Sequence, residues 1–116
     1  MALYLTHRVN EGVNIKLNGF SIDITVIAIG NWTSRKEACL EVEGIEDIDK
    51  ICLSPSEDLV SLGHDIFIGI YREDISYRIS NEDLLRYITY DRDDNIVKIC
   101  YDIPKQAIIK KKCNNN

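Results

Sequence analysis

At 116 residues the chain is the size of one ordinary domain, and its 45% hydrophobic content excludes a disordered polymer. A formal net charge of −5 argues against broad, nonspecific nucleic-acid binding, because that affinity comes from neutralising phosphates. No apolar run reaches the roughly 20 residues of a membrane-crossing helix, and no basic-then-apolar leader opens the sequence, so a cytoplasmic protein is expected.

The predicted elements begin as strands. Leu3 and Leu5 alternate with Tyr4 and Thr6, which predicts a first strand over residues 3–8. Asn10-Glu11-Gly12 predicts a turn. Val13, Ile15 and Leu17 alternate with Asn14 and Lys16 in a second strand. Asn18-Gly19 then marks a hairpin, because a type I′ turn wants positive φ at both central positions. Phe20, Ile22, Ile24 and Val26 start a third strand that continues through Ile29, and Gly30-Asn31 opens an expected loop to about Lys36. Ala38, Leu40 and Val42 make one face of a fourth strand, with Cys39 and Glu41 on the other and Gly44 at its end. Spacing of this kind predicts an antiparallel all-β meander.

Residues 45–64 break the alternation. Ser54 reads as an N-cap, Pro55 as a first helical position and Glu57 as the residue three after the cap. A short helix over residues 55–62, stopped by Gly63, is therefore expected. Residues 65–71 predict a fifth strand. Ile75, Ile79, Leu84 and Tyr87 then fall at helical spacing, predicting a helix from Glu73 to about Tyr87, with a fresh cap available at residues 80–83. The β-prone runs 87–90 and 96–101 flank a polar turn and predict an added hairpin ended by Pro104. Lys110-Lys111-Lys112 and the terminal asparagines predict a disordered basic end. The chain thus divides into residues 1–87, with an insert at 45–64, and a C-terminal extension over 88–116.

Charge follows that division. Residues 1–87 carry 8 Lys and Arg against 15 Asp and Glu, while residues 88–116 carry 6 against 4. Any nucleic-acid site must then be a local basic spot on an acidic body. The cysteines at 39, 52, 100 and 113 form no C-x-x-C pair, and the expectation is three buried thiols and one in the tail. No zinc site is expected, since His7 and His64 fit no ligand spacing. A disulfide framework would need an oxidising compartment. The sequence holds no nucleophile–base pair, metal spacing or phosphate loop, so neither an enzyme nor a cofactor is expected.

Two segments resemble known signatures. Leu5-Thr6-His7-Arg8-Val9-Asn10-Glu11 is similar to the hydrophobic-L-T-R-(R/K)-x-G-E opening of the CsrA/RsmA family of bacterial carbon storage regulators, matching at Leu5, Thr6, Arg8, Val9 and Glu11. Ile70-Tyr71-Arg72-Glu73-Asp74-Ile75-Ser76-Tyr77-Arg78-Ile79 is similar to its V-H-R-E-E-I-Y-x-x-I segment, matching at Arg72, Glu73, Ile75 and Ile79. The likeness covers roughly residues 3–44 and 65–80. It implies a mainly β fold, a five-stranded antiparallel sheet with a C-terminal helix, in a homodimer whose first strand lies beside the partner's fifth. It implies binding of GGA triplets in hairpin loops of mRNA or small RNA near ribosome-binding sites, controlling translation or mRNA stability.

By position, Leu5, Thr6, His7 and Arg8 of one chain would line the RNA site with Ile70, Tyr71 and Arg72 of the other. The guanidinium of Arg72 suits guanine edges and phosphates, and an exposed Tyr71 could stack a base. Plainer roles compete: Arg72 bridging an acidic neighbour, Arg8 pairing with Glu11 across the turn, Leu5 as core. The chain departs from the pattern at His7, where the family has a basic residue, and at Asn10, where it has glycine. Its Ala-Pro pair has no counterpart beyond Ser54-Pro55, and residues 37–58 carry eight acidic residues against Lys50 alone. These departures motivate an alternative: a divergent paralogue acting by protein contact, through heterodimerisation or sequestration, without GGA readout.

Overall fold

The structure, a computed structural model, describes residues 2–32, 35–56, 58–70, 75–76 and 96–112. The strands among them are β1 (Ala2–His7), β2 (Gly12–Leu17), β3 (Phe20–Trp32), β4 (Arg35–Glu43), β5 (Lys50–Leu53), β6 (Val60–Gly63), β7 (Ile66–Gly69), β8 (Ile75–Ser76), β9 (Ile96–Asp102) and β10 (Ile108–Lys112). They build two antiparallel sheets. One runs β1-β9-β7-β6, with β8 also beside β9, and the other runs β10-β2-β3-β4-β5. The expected mainly β class therefore stands.

Local chemistry explains the second sheet. Asn18 (φ 49°) and Gly19 (φ 86°) form the positive-φ turn between β2 and β3, setting Leu17 opposite Phe20. Alternation then turns Val13, Ile15, Ile22, Ile24, Val26, Leu40 and Val42 inward, all buried. A bulge between Val26 and Ala28 shifts the register by one. That extra residue lets Ile29 point inward after Val26, which strict alternation would forbid. Ile66, Ile68, Val97, Ile99 and Tyr101 of the first sheet complete the same buried cluster, so one core lies between the two sheets.

Several expectations fail where tertiary pairing outweighs local signals. The helix over residues 55–62 is not formed. Pro55 bridges Ile70, the Ser56 amide donates to the Ile70 carbonyl at 2.8 Å, and Val60–Gly63 is strand β6. The Ser56 hydroxyl accepts from the Asp58 amide at 3.1 Å, so the polar run closes a local turn rather than capping a helix. The loop expected from residue 30 to 36 shrinks, because β3 continues to Trp32 and β4 begins at Arg35. Ile75 and Ser76 are extended beside β9 instead of helical, since that pairing satisfies their backbone. Residues 73–74 and 77–87 of the expected helix lie outside the described residues. So do residues 87–95 of the added hairpin, whose second run is β9, paired with β1, β7 and β8. The lysines placed in a disordered end belong to β10, where Ile109 sits opposite Ile15 and Lys112 Nζ donates to Thr25 Oγ1 at 3.0 Å. Nor are Cys39 and Cys52 buried thiols: they face each other across β4 and β5 and are joined by a disulfide, while Cys100 is free and buried. Among the described residues no helix is long and apolar enough to cross a membrane.

Candidate nucleic-acid interface

β1 carries three of the seven residues the resemblance singles out, Leu5, Thr6 and His7, and Arg8 follows it directly. Its alternation sends Leu3, Leu5 and His7 inward and Ala2, Tyr4 and Thr6 outward. A turn follows, in which the Glu11 amide donates to the Arg8 carbonyl at 3.0 Å and the Arg8 amide donates to Glu11 Oε1 at 2.8 Å. Asn10 holds φ 73° there. That is the left-handed region glycine favours and asparagine tolerates, so Asn10 meets the same backbone need that a glycine would at this position. The amides of Asn10 and Val26 then tie the turn to β3, donating at 2.7 Å to the carbonyls of Val26 and Glu11 respectively.

The structure separates the expected site residues. Thr6 and Arg8 are exposed. Leu5 packs against the core. His7, expected at the RNA, is fully buried, with Nε2 2.8 Å from the Tyr101 hydroxyl. The cause is parity: two residues past Leu5, it must share the inward face. Burial lowers its pKa to about 4, helped by the Lys111 cation and opposed by Glu11, so it is a neutral ring. Ile70 is buried too, its backbone engaged by Pro55 and Ser56. Tyr71 and Arg72 lie outside the described residues. Arg8 and Glu11 do meet, through the Arg8 amide.

The outward face of this sheet gathers two residues that sequence reasoning passed over. Lys98 stands directly across from Thr6, and Tyr4 directly across from Cys100. Tyr4 is 56% exposed. Its hydroxyl bonds the Cys100 thiol, while burial, the larger effect, pushes that thiol's pKa up. Gly69 pairs with Cys100 from the other side, and Leu59 lies so close over Gly69 that an added Cβ would sit 2.7 Å from its Cδ2. Phe67, 37% exposed, is one row further along β7, across from Asp102. The result is an open surface with a tethered aromatic ring, a lysine, a threonine hydroxyl and a nearby arginine. Such a surface can stack an unpaired base and neutralise a phosphate. The available signal was the outward parity of Tyr4 and Lys98 between apolar neighbours. No family model, no curated protein and no solved structure matches the chain.

Proposed function

We propose that the chain is an RNA-binding post-transcriptional regulator of the CsrA/RsmA type, taking single-stranded GGA loops of mRNA or small RNA near ribosome-binding sites. One observation carries the reading: Thr6 and Lys98 stand side by side on an open sheet face that also bears Tyr4, with Arg8 exposed at the end of β1. In this reading Tyr4 stacks a loop base, Thr6 and the strand backbone read base edges, and Lys98 and Arg8 hold phosphates. The acidic body keeps binding local and salt-sensitive.

The test is a gel shift at stated salt with a GGA hairpin and a CCA control. Preference for GGA is expected, with affinity lowered about tenfold or more in Tyr4→Ala and abolished in Arg72→Ala. Equal, negligible binding of both hairpins would refute the reading. The burial of His7 and Ile70 favours a second reading, in which the chain has given up GGA recognition and acts on a partner protein, such as a family paralogue, by heterodimerisation or sequestration. Failure to shift either RNA, together with a defined complex with a family member, would select it.

A further inference from the structure

The second sheet has an outward face of its own, away from the RNA surface. On β4 it bears Glu37, Cys39 and Glu41. On the edge strand β5, Cys52 stands opposite Cys39 and Lys50 opposite Glu41. The two cysteines are 13 positions apart in sequence, yet their Cα atoms are 4.0 Å apart. Glu37, two residues before Cys39, shares its face. The donor atoms of Glu37, Cys39 and Cys52 all lie within 4.8 Å of one another. Glu37 and Cys39 are half-buried and Cys52 is exposed, so solvent reaches the group from the sheet edge.

We propose that Glu37, Cys39 and Cys52 form a binding site for one soft divalent cation of the zinc class, opened when the Cys39–Cys52 disulfide is reduced. Two thiolates and a carboxylate are three of the four ligands a tetrahedral zinc takes, leaving water the fourth position. The surroundings favour a cation, since residues 37–58 hold eight acidic side chains against one lysine. Opening the site takes two electrons and two protons from a dithiol reductant, which leaves as its own disulfide while Cys39 and Cys52 become thiols. Binding then forms two metal–sulfur bonds and releases both thiol protons to solvent. The disulfide and the metal site are thus alternative states of one sulfur pair. This inference does not depend on the RNA-binding reading.

The test uses the full chain, reduced with a phosphine that is then removed without air, and titrated with Co2+ as a spectroscopic stand-in for Zn2+. The expected result is one Co2+ per chain, with sulfur-to-cobalt charge-transfer and tetrahedral d–d bands that Zn2+ bleaches. The oxidised chain shows none of these bands. Cys39→Ser and Cys52→Ser lose them, Cys100→Ser and Cys113→Ser keep them, and Glu37→Gln keeps them with affinity weakened about tenfold or more. In the unmodified reduced chain, Zn2+ protects Cys39 and Cys52 from alkylation, as peptide mass mapping reads directly without any variant. Absence of thiolate bands, bands that survive Cys39→Ser, equal binding by the oxidised chain, or equal alkylation with and without Zn2+ would each overturn the proposal.

Discussion

The buried imidazole of His7 makes the fold sensitive to acid in a calculable way. Nε2 meets the Tyr101 hydroxyl, and Nδ1 has no hydrogen-bond partner. A charged ring would need acceptors for two N–H groups and has one oxygen within reach. The folded pKa of about 4 against an ordinary 6.5 expresses that penalty. Because the folded value is depressed, the unfolded chain takes up a proton below pH 6.5 while the folded chain stays neutral. Stability is therefore full above pH 6.5, falls by up to about 1.4 kcal/mol per pH unit, and is down by about 3 kcal/mol near pH 4. Burial pushes the Tyr101 hydroxyl well above its usual range, so the tyrosine stays neutral throughout. Urea melts across roughly pH 7.5 to 4.5 read the slope. Carboxylates also titrate at the acid end, so the comparison is His7→Gln, whose amide can meet Tyr101 but takes no proton. The variant is expected to lose most of the slope below pH 6.5. Parallel curves for the two proteins would show that His7 is charged in the folded state and would refute the reasoning.

Two backbone positions give further expectations. His64 (φ 55°) and Asp65 (φ 61°) form the turn between β6 and β7 with positive φ and no glycine. Asp65→Gly relieves the second position, and its urea midpoint should rise by the equivalent of about 0.5 kcal/mol after the entropy cost of glycine. Gly12 is confined by the neighbouring strand, where an added Cβ would collide with the Ile24 carbonyl oxygen. Backbone against backbone cannot give way cheaply, so Gly12→Ala should cost more than about 2 kcal/mol in the same melts.

What was legible in the sequence was what short-range periodicity controls. Alternation along β2, β3 and β4 and the Asn18-Gly19 turn are local facts, and they placed half of the core correctly. The same parity placed His7 inward with Leu3 and Leu5, although analogy with an RNA-contacting position pointed the other way. Local signals failed where a distant strand supplied the hydrogen bonds. Ser54-Pro55-Ser56-Glu57 reads as a helix start only if Ile70 is not beside it, and Lys110–Lys112 reads as a tail only if β2 is not. The Cys39–Cys52 pairing depends on the register of β4 against β5, which no linear spacing encodes. Tyr4 and Lys98 became one surface through a pairing across more than ninety residues of chain.

That pairing also bears on how two copies could assemble. Strand exchange of the kind the resemblance implies puts the first strand of one subunit beside the fifth of the other. Within this chain β9 lies between β1 and β7, pairing six residues of β1 and closing one edge of β7, while β6 closes the other. A partner's β1 could reach β7 only by displacing β6 or β9, with loss of a ladder and exposure of Leu62 or Ile99. The closed protomer and the exchanged dimer are therefore competing states, and Cys100 reports which is populated. Because Tyr4 and Cys100 meet across β1 and β9, Tyr4→Cys in a Cys113→Ser background forms a disulfide with the native thiol on mild oxidation. In the closed protomer that bond lies within one chain, and a non-reducing gel shows a monomer. In the exchanged dimer β1 leaves β9 for the partner's β7, so two thiols that stay open to alkylation after mild oxidation, or a cross-linked dimer at low protein concentration, would overturn the intrachain assignment of this sheet.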